Sequence, residues 1–155
     1  MSDGEKSRLI AWDRELAAAH QRLRAALRLA RDAPGGGNAA SARADLALYC
    51  RGFCAALSGH HGSEDRALFP GLAARHPGLR PVIATLRQDH EVIASLIREL
   101  DRALASGATP AGLAPHLDGI SAIMESHFRY EERQLLGALA DLELSADPHA
   151  LLGPL

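Results

Sequence analysis

Several residue types are scarce in this chain of 155 residues, and each scarcity excludes a class of protein. Aromatic residues make up 4% of the sequence and β-branched residues are few, whereas Leu and Ala are abundant, which predicts helices rather than strands. No apolar run approaches the roughly 20 residues that a membrane-spanning helix needs. The formal net charge is −2, so no basic surface argues for binding to nucleic acid or to an anionic membrane. Because the N-terminal residues also lack a signal-peptide pattern, we expect one cytoplasmic domain.

Cysteine is almost absent, since Cys50 and Cys54 are the only two in the chain. They lie four residues apart on one predicted helix, a spacing that fits neither a Cys-x-x-Cys redox motif nor a disulfide framework. We expect both thiols to be reduced and to pack as small apolar side chains in a cytosolic protein. A redox-sensing pair is the alternative.

Four segments of the chain carry apolar residues at alternating steps of three and four, the period of a helix seam in a bundle. They are predicted at about 6–32, from 39 to at least 64, from 79 or 81 to 105, and from 109 onward. Thr109-Pro110 is a helix N-cap followed by proline, and Asp147-Pro148 is a similar start for a short helix near the C-terminus. The fold class predicted is therefore all-α, an up-down-up-down four-helix bundle over residues 1–144 with a short C-terminal extension at 145–155.

Six residues that can bind metal ions lie on the otherwise apolar stripes of these helices. They are His20 on the first helix, His60 and Glu64 on the second, His90 on the third, and His127 and Glu131 on the fourth. A buried carboxylate is unfavourable unless a cation neutralises it, and no Lys or Arg lies nearby on these stripes. One core histidine by itself is usually just hydrogen-bonded within the core. Six such residues in a common register instead predict a metal site.

The donor atoms indicate which metal the site would bind. Imidazole and carboxylate groups in a bundle core suit iron, manganese or zinc, and the lack of a thiolate does not favour a structural zinc site. Two glutamates with four or five histidines exceed the needs of one tetrahedral zinc ion. Two carboxylates from facing helices can each bridge two ions, so the set favours a dinuclear site, with iron as its usual occupant where imidazole dominates.

The order of residues within each pair separates two kinds of bundle site. Ferritin-like di-iron proteins carry Glu-x-x-His twice, whereas this chain carries His-x-x-x-Glu twice and a histidine on every helix. From the first helix to the fourth, the pattern resembles the hemerythrin family, specifically its HHE cation-binding branch. The matching residues are His20, His60 with Glu64 in His-His-Gly-Ser-Glu-Asp-Arg-Ala-Leu-Phe-Pro, His90 in Gln-Asp-His-Glu, and His127 with Glu131.

This resemblance implies two iron ions in an oxo- or hydroxo-bridged centre, with Glu64 and Glu131 as bridging carboxylates and the histidines as terminal ligands. In oxygen-carrying hemerythrins the third helix supplies two histidines four residues apart, whereas the positions four residues from His90 are Leu86 and Ala94 here. The carboxylate of the fourth helix is also a glutamate four residues after the histidine, rather than an aspartate five residues after it. These departures do not favour reversible oxygen carriage.

The position after the second-helix histidine carries a carboxylate in some iron-sensing relatives, and His61 occupies that position here. We interpret His61 as a further metal ligand, and the alternatives are a place beside the ligands or at the surface. Three carboxylates adjacent to ligands, Asp65, Glu91 and Glu132, point about 100° away from them on a helix. We expect these three to be solvated or to hydrogen-bond to the ligands.

The expected function is that of a non-haem di-iron protein that binds a small diatomic ligand, oxygen or nitric oxide, for sensing, storage or delivery. One alternative is a di-iron enzyme that acts on peroxide, and another is an iron-responsive or iron-storage module. The expected partners are accordingly a diatomic ligand or peroxide, with neither nucleic acid nor a membrane. The sequence identifies no catalytic residue and no protein partner.

Overall fold

The computed structural model describes residues 11–32, 39–140, 142 and 147–153, and only the backbone of residues 39–44. All regular structure in these ranges is helical, which confirms the all-α prediction. The elements are α1 (Trp12–Arg31), α2 (Ala39–Ser63), a π-helical turn (Glu64–Leu68), α3 (Phe69–Arg75), a 3-10 turn (Pro77–Leu79), α4 (Arg80–Ala105), α5 (Pro110–Ala140) and α6 (Pro148–Leu152). Among the described helices, none is long and apolar enough to cross a membrane.

The helix ends follow the predicted signals closely where the structure describes them. Thr109 precedes α5, and its Oγ1 accepts a hydrogen bond from the Gly112 N–H at 3.1 Å, which confirms the predicted N-cap. Asp147 caps α6 in the same way, because its side chain accepts from the His149 N–H at 3.0 Å. The predicted start of the first helix at about residue 6 lies outside the described residues, as do residues 143–146 at the predicted boundary between bundle and tail.

The second predicted helix continues beyond Glu64, the minimum extent predicted for it. It passes through the π-helical turn, in which the backbone is wider than an α-helix, and continues as α3 to Arg75. Pro70 lies in the first turn of α3, where a missing N–H is tolerated. One long helical segment with a local change of register therefore extends from the start of α2 to the end of α3.

Two apolar core clusters fill the described bundle. The first contains Leu23, Leu27, Ala30, Leu46, Cys50, Phe53, Cys54, Leu57, Ile93, Ile97, Leu100, Leu113, Leu117, Ile120, Met124 and Phe128. The second contains Trp12, Leu16, Ala19, Leu68, Phe69, Leu72, Ile83, Leu86, Leu135, Leu139, Leu142, Leu151 and Leu152. Along each of the four long helical segments, the predicted metal-binding residues lie where one cluster changes to the other, and on α5 Phe128 of the first cluster lies between His127 and Glu131.

The helix contacts form a closed ring in which α1 touches α2 and α5, and α4 also touches α2 and α5. Ion pairs join α1 to α5 at two levels: Arg24 Nε lies 2.6 Å from Glu125 Oε1, and Arg31 Nη2 lies 2.6 Å from Asp118 Oδ1. Since the partner number falls along α5 as the residue number rises along α1, these two helices run in opposite directions. The short α6 contacts α1, α2 and the π-helical turn.

Candidate metal centre

All seven residues predicted from sequence lie together between the two core clusters, in two overlapping groups. The His61 group consists of His61, Glu64, His90 and His127, and the His20 group consists of His20, His60, Glu64 and Glu131. In each group every residue offers one ligand atom, and these atoms lie within 4.8 Å of one another. Glu64 belongs to both groups, which is the arrangement needed for a carboxylate shared by two ions.

The site is closed to solvent almost everywhere. His20, His60, Glu64 and Glu131 are each 0% exposed, and His127 is 2% exposed. The two most exposed of the seven residues both belong to the His61 group: His61 is 6% exposed and His90 is 5% exposed. Any small molecule would therefore reach the centre most directly from the side of the His61 group.

Seven buried side-chain atoms that could bind a metal ion have no hydrogen-bond partner in the described part of the chain. They are Nε2 of His20, His60 and His61, and both carboxylate oxygens of Glu64 and of Glu131. Buried polar atoms are almost always paired, and an unpaired carboxylate is especially unfavourable. A cation satisfies nitrogen lone pairs and carboxylate oxygens together, so these residues fit a metal site.

The rings of four histidines are held in place from outside the centre through their Nδ1 atoms. His20 Nδ1 lies 2.9 Å from Glu132 Oε1, and His90 Nδ1 lies 2.9 Å from Asp65 Oδ1. Because a carboxylate oxygen accepts, each Nδ1–H donates, and the Nε2 atom of each neutral ring keeps its lone pair for a metal. This is the usual way in which proteins orient a metal-binding imidazole.

The Nδ1 atoms of His127 on α5 and of His60 on α2 also donate hydrogen bonds to partners outside the centre. His127 Nδ1 donates to Asp89 Oδ2 at 3.0 Å, and His60 Nδ1 donates to the Leu152 carbonyl oxygen at 2.6 Å. Three of the four rings therefore have a carboxylate partner, and His60 has a neutral backbone partner.

The distances between the inward-facing atoms match those of atoms that share an ion. His90 Nε2 and His127 Nε2 lie 3.1 Å apart. Two atoms that bind one ion at a right angle, at about 2.1 Å each, lie about 3 Å apart. With both Nδ1 atoms protonated, the two Nε2 lone pairs would repel each other unless a cation or a proton lies between them.

The glutamates lie against histidines from more than one helix. Glu64 Oε1 is 3.2 Å from His60 Nε2 and 3.5 Å from His90 Nε2, which connects the two groups. Glu131 Oε2 is 3.1 Å from His127 Nε2 and 3.8 Å from His20 Nε2. Both carboxylates thus occupy the space between imidazoles of both groups.

The family described as the hemerythrin HHE cation binding domain matches residues 13–139, which is most of the chain. The chain belongs to the hemerythrin family. No curated protein and no solved structure gave a significant match. The match includes all seven clustered residues, and it ends before α6, the element that supplies the backbone partner of His60.

The protonation of this hemerythrin site is strongly perturbed without a metal. Burial lowers the pKa of His60 to about 4, and burial together with neighbouring imidazoles lowers the pKa of His61 well below its ordinary value. Burial and the nearby Glu131 carboxylate raise the pKa of Glu64 well above its ordinary value. Burial opposes ionisation of Glu131 too, but its interactions with Glu64 and His127 outweigh burial and hold its pKa well below the ordinary range.

Sequence reasoning did not assign two of the groups that orient the hemerythrin histidines. Asp89 was missed, although it directly precedes His90, just as Asp65 and Glu132 directly follow ligand candidates. The Leu152 carbonyl carried no signal, because every residue has one. Asp65 and Glu132 hydrogen-bond to the clustered histidines, one of the two roles predicted for them, whereas Glu91 is exposed.

Proposed function

We propose that this hemerythrin-family chain is a non-haem di-iron protein that binds a small diatomic ligand, oxygen or nitric oxide, for sensing, storage or delivery. The observation that carries the proposal is the set of seven buried ligand atoms that have no hydrogen-bond partner within the described chain. Two groups of ligand atoms that share Glu64 support two ions rather than one. The donor set has only imidazole and carboxylate groups, which suits iron.

In this proposal the residues have separate roles around the two ions. Glu64 and Glu131 bridge, because each lies against histidines of both groups. The histidines are terminal ligands: His20 and His60 on one side, and His61, His90 and His127 on the other. His61 supplies the metal ligand that a second histidine on α4 would otherwise supply. Its buried Nε2 atom has no hydrogen-bond partner within the described residues, which supports this role.

We also infer the up-down-up-down order of the four long helices. On α1 and α4 the second core cluster comes before the clustered histidine and the first cluster follows it. On α2 and α5 the order is the reverse. Neighbouring helices in the ring would therefore alternate in direction, as the short connections between them require.

A pocket of about 260 Å³ lies beside the His61 group and supports a route for small ligands. His61 and His90 line it, and the apolar side chains of Ile93, Ala94 and Ile97 form part of its wall. When bound, iron would offer an open coordination position at which a diatomic molecule binds. The chain's contribution is to keep bulk water away from that position while leaving one side open to a small uncharged molecule.

Metal analysis with an optical spectrum of protein from iron-supplied cells tests the proposal. We expect two irons per chain and visible absorption that responds to oxygen or nitric oxide. His127→Ala should lose iron, whereas the matched control His116→Ala should keep it, because His116 lies outside both groups. A preparation that holds fewer than two irons, or only zinc, would contradict the proposal.

A second candidate function is a di-iron enzyme that acts on peroxide. The same pocket supports it, because a space of about 260 Å³ beside His61 and His90 admits hydrogen peroxide, which has two heavy atoms like oxygen. Steady oxygen evolution from added hydrogen peroxide, lost in His127→Ala and retained in His116→Ala, would favour the enzyme. Reversible binding of oxygen without turnover would favour the binding protein.

Cytoplasmic location and the tail boundary at residue 145 stay predictions.

A further inference from the structure

The short helix α6 reaches the metal centre through its backbone rather than through a side chain. The Leu152 carbonyl oxygen accepts a hydrogen bond from His60 Nδ1 at 2.6 Å, and both residues are buried. A carbonyl oxygen can only accept, so the proton is on Nδ1 and the Nε2 lone pair of His60 faces the His20 group. The element that makes this contact lies outside the residues matched by the family.

The next residue, Gly153, holds α6 against α2 at very short range. A Cβ atom at this position would lie 3.0 Å from both the backbone N and the Cα of His60, closer than such contacts normally come. Its backbone has φ +90° and ψ 164°, a conformation that is essentially restricted to glycine. Only glycine therefore lets the chain pass over the His60 backbone at this distance.

Apolar burial holds α6 in this place independently of the hydrogen bond. Leu151 and Leu152 are 6% and 3% exposed, and both belong to the second core cluster. The side chain of Asp147 caps the helix, so a segment of only five helical residues has a defined start. The position of the Leu152 carbonyl is thus set by packing against α1, α2 and the π-helical turn.

We propose that α6 is a positioning element for His60 and so for one of the two ions, the one bound by the His20 group. This inference rests on the proposed di-iron function. His60 has a partner on α6 at Nδ1, whereas the carboxylate partners of His20, His90 and His127 lie on α5, on the π-helical turn and on α4. Loss of the α6 contact should therefore weaken the His20 group and leave the His61 group intact.

Two glycine substitutions in the full-length protein test this role. Gly153→Ala places a methyl group against the His60 backbone, while Gly107→Ala introduces a side chain at φ +76° with nothing within 4 Å. We expect iron in Gly153→Ala to fall from two ions per chain towards one, with a ~10- to 100-fold weaker second site in chelator competition. Gly107→Ala should keep two ions. The ¹⁵N signals of the His60 ring in metal-free protein should change from a pure Nδ1–H tautomer to a mixture in Gly153→Ala alone.

A pair of leucine variants keeps the test decisive if Gly153→Ala does not fold. Leu151→Ala and Leu142→Ala each remove a buried side chain from the second core cluster, but only Leu151 lies on α6. Loss of iron in Leu151→Ala with two ions kept in Leu142→Ala supports the positioning role. Two ions in all four variants, with the His60 tautomer unaltered, would overturn it. Fewer than two ions in the wild-type protein would instead contradict the proposed function itself.

Discussion

The charge on the outer partner of each histidine is the feature that matters most at the scale of single residues. An Nδ1–H that donates to a carboxylate makes the imidazole a stronger metal donor than one that donates to a neutral group. Contact with His20 holds the pKa of Glu132 below its ordinary value, so this partner is ionised at neutral pH. The stacking of Phe128 on the His20 ring, with centroids 3.8 Å apart, further restricts that ring. These contacts preorganise the donors before a metal arrives.

The carboxylate of Asp89 provides a direct test, because it orients His127 from a different helix. Asp89→Asn keeps the size of the side chain and removes its charge. We expect roughly a 10- to 100-fold loss of metal affinity in chelator competition. The control is Glu99→Gln, an exposed carboxylate on the same helix, and it should leave the affinity unchanged. Equal affinities in the two variants would show that Asp89 does not tune the site.

The two cysteines are free and buried, as the sequence predicted, and their chemistry depends on that burial. Burial raises the pKa of the Cys54 thiol to about 12, and Asp101 and Cys50 add to the effect. At pH 8 the thiolate fraction is then about 1 in 10⁴, against roughly a quarter for an ordinary thiol. We expect iodoacetamide to alkylate the native protein at least ~10³-fold more slowly than the urea-unfolded protein. Rapid native alkylation would revive the redox-sensing alternative.

At the scale of elements, the π-helical turn joins the metal centre to the second core cluster. Its first residue, Glu64, faces the histidines, and its second, Asp65, reaches the Nδ1 atom of His90. The following residues Leu68 and Phe69 are 0% exposed in the second core cluster. Because this turn is wider than an α-helical turn, Glu64 can face the metal centre while Leu68 and Phe69, only four and five residues later, face the second core cluster.

Inserting one alanine after Ala67 would rotate the residues C-terminal to it by about 100°, because this turn already holds one residue more than an α-helical turn and would have to take up a second. Leu68, Phe69 and Leu72 would then leave the core, each of which is 0% exposed. We expect a loss of at least about 3 kcal/mol in the free energy of unfolding, measured by urea denaturation. Ala67→Ser keeps the chain length and should change that free energy by less than about 1 kcal/mol. An insertion variant as stable as the wild type would show that the register of this turn is not needed for core packing.

The pocket between α2 and α4 gives a second prediction at this scale. Ala94 lines it, so Ala94→Phe should narrow the path to His61 and His90. We expect the association rate of nitric oxide with the iron-loaded protein to fall at least ~10-fold in stopped-flow measurements, because a phenyl ring occupies the space that the ligand crosses. Ala84→Phe adds the same ring to an exposed position on α4 and is the matched control. Unaltered association with full iron content in Ala94→Phe would mean that ligands enter elsewhere.

For the whole molecule, the metal centre and the fold depend on each other. Glu64 and Glu131 are fully buried, and within the described residues their oxygens have no hydrogen-bond partner and no ion pair with a Lys or Arg side chain. Burial and the neighbouring Glu131 carboxylate raise the pKa of Glu64, so ionised Glu64 opposes folding until a cation compensates. Burial of the apolar side chains in the two core clusters, on both sides of the centre, stabilises the fold and offsets the unfavourable burial of these polar groups.

Iron removal should accordingly lower the melting temperature of the protein. Free iron at a thousandfold excess over its dissociation constant stabilises the native state by about 4 kcal/mol. We expect Glu64→Gln to melt above the metal-free wild type, because burial and the nearby Glu131 carboxylate destabilise the ionised form of Glu64 in the folded protein. Iron should no longer stabilise that variant. A wild-type melting temperature that chelation leaves unchanged would contradict this coupling and the iron-responsive alternative with it.

The sequence by itself determined which residues face inward on each long helix. Helical periodicity is local, so the apolar stripes of α1, α2, α4 and α5 could be read directly, and the histidines and glutamates on those stripes came together as expected. The predicted all-helical class and both proline-marked helix starts are confirmed for the same reason. The role of all seven residues as metal ligands stays a prediction, although the structure brings the ligand atoms of each group to within 4.8 Å of one another.

Tertiary structure alone decided what orients those residues. Asp89 reaches His127, and Asp65 reaches His90, only because the helices have a particular rotation and offset relative to one another, which no local pattern encodes. The Leu152 carbonyl is a group that every residue possesses, and its position over His60 depends on how α6 packs 92 residues away in the chain. A side chain's direction along its own helix is thus a local property, whereas its partner across the bundle depends on packing.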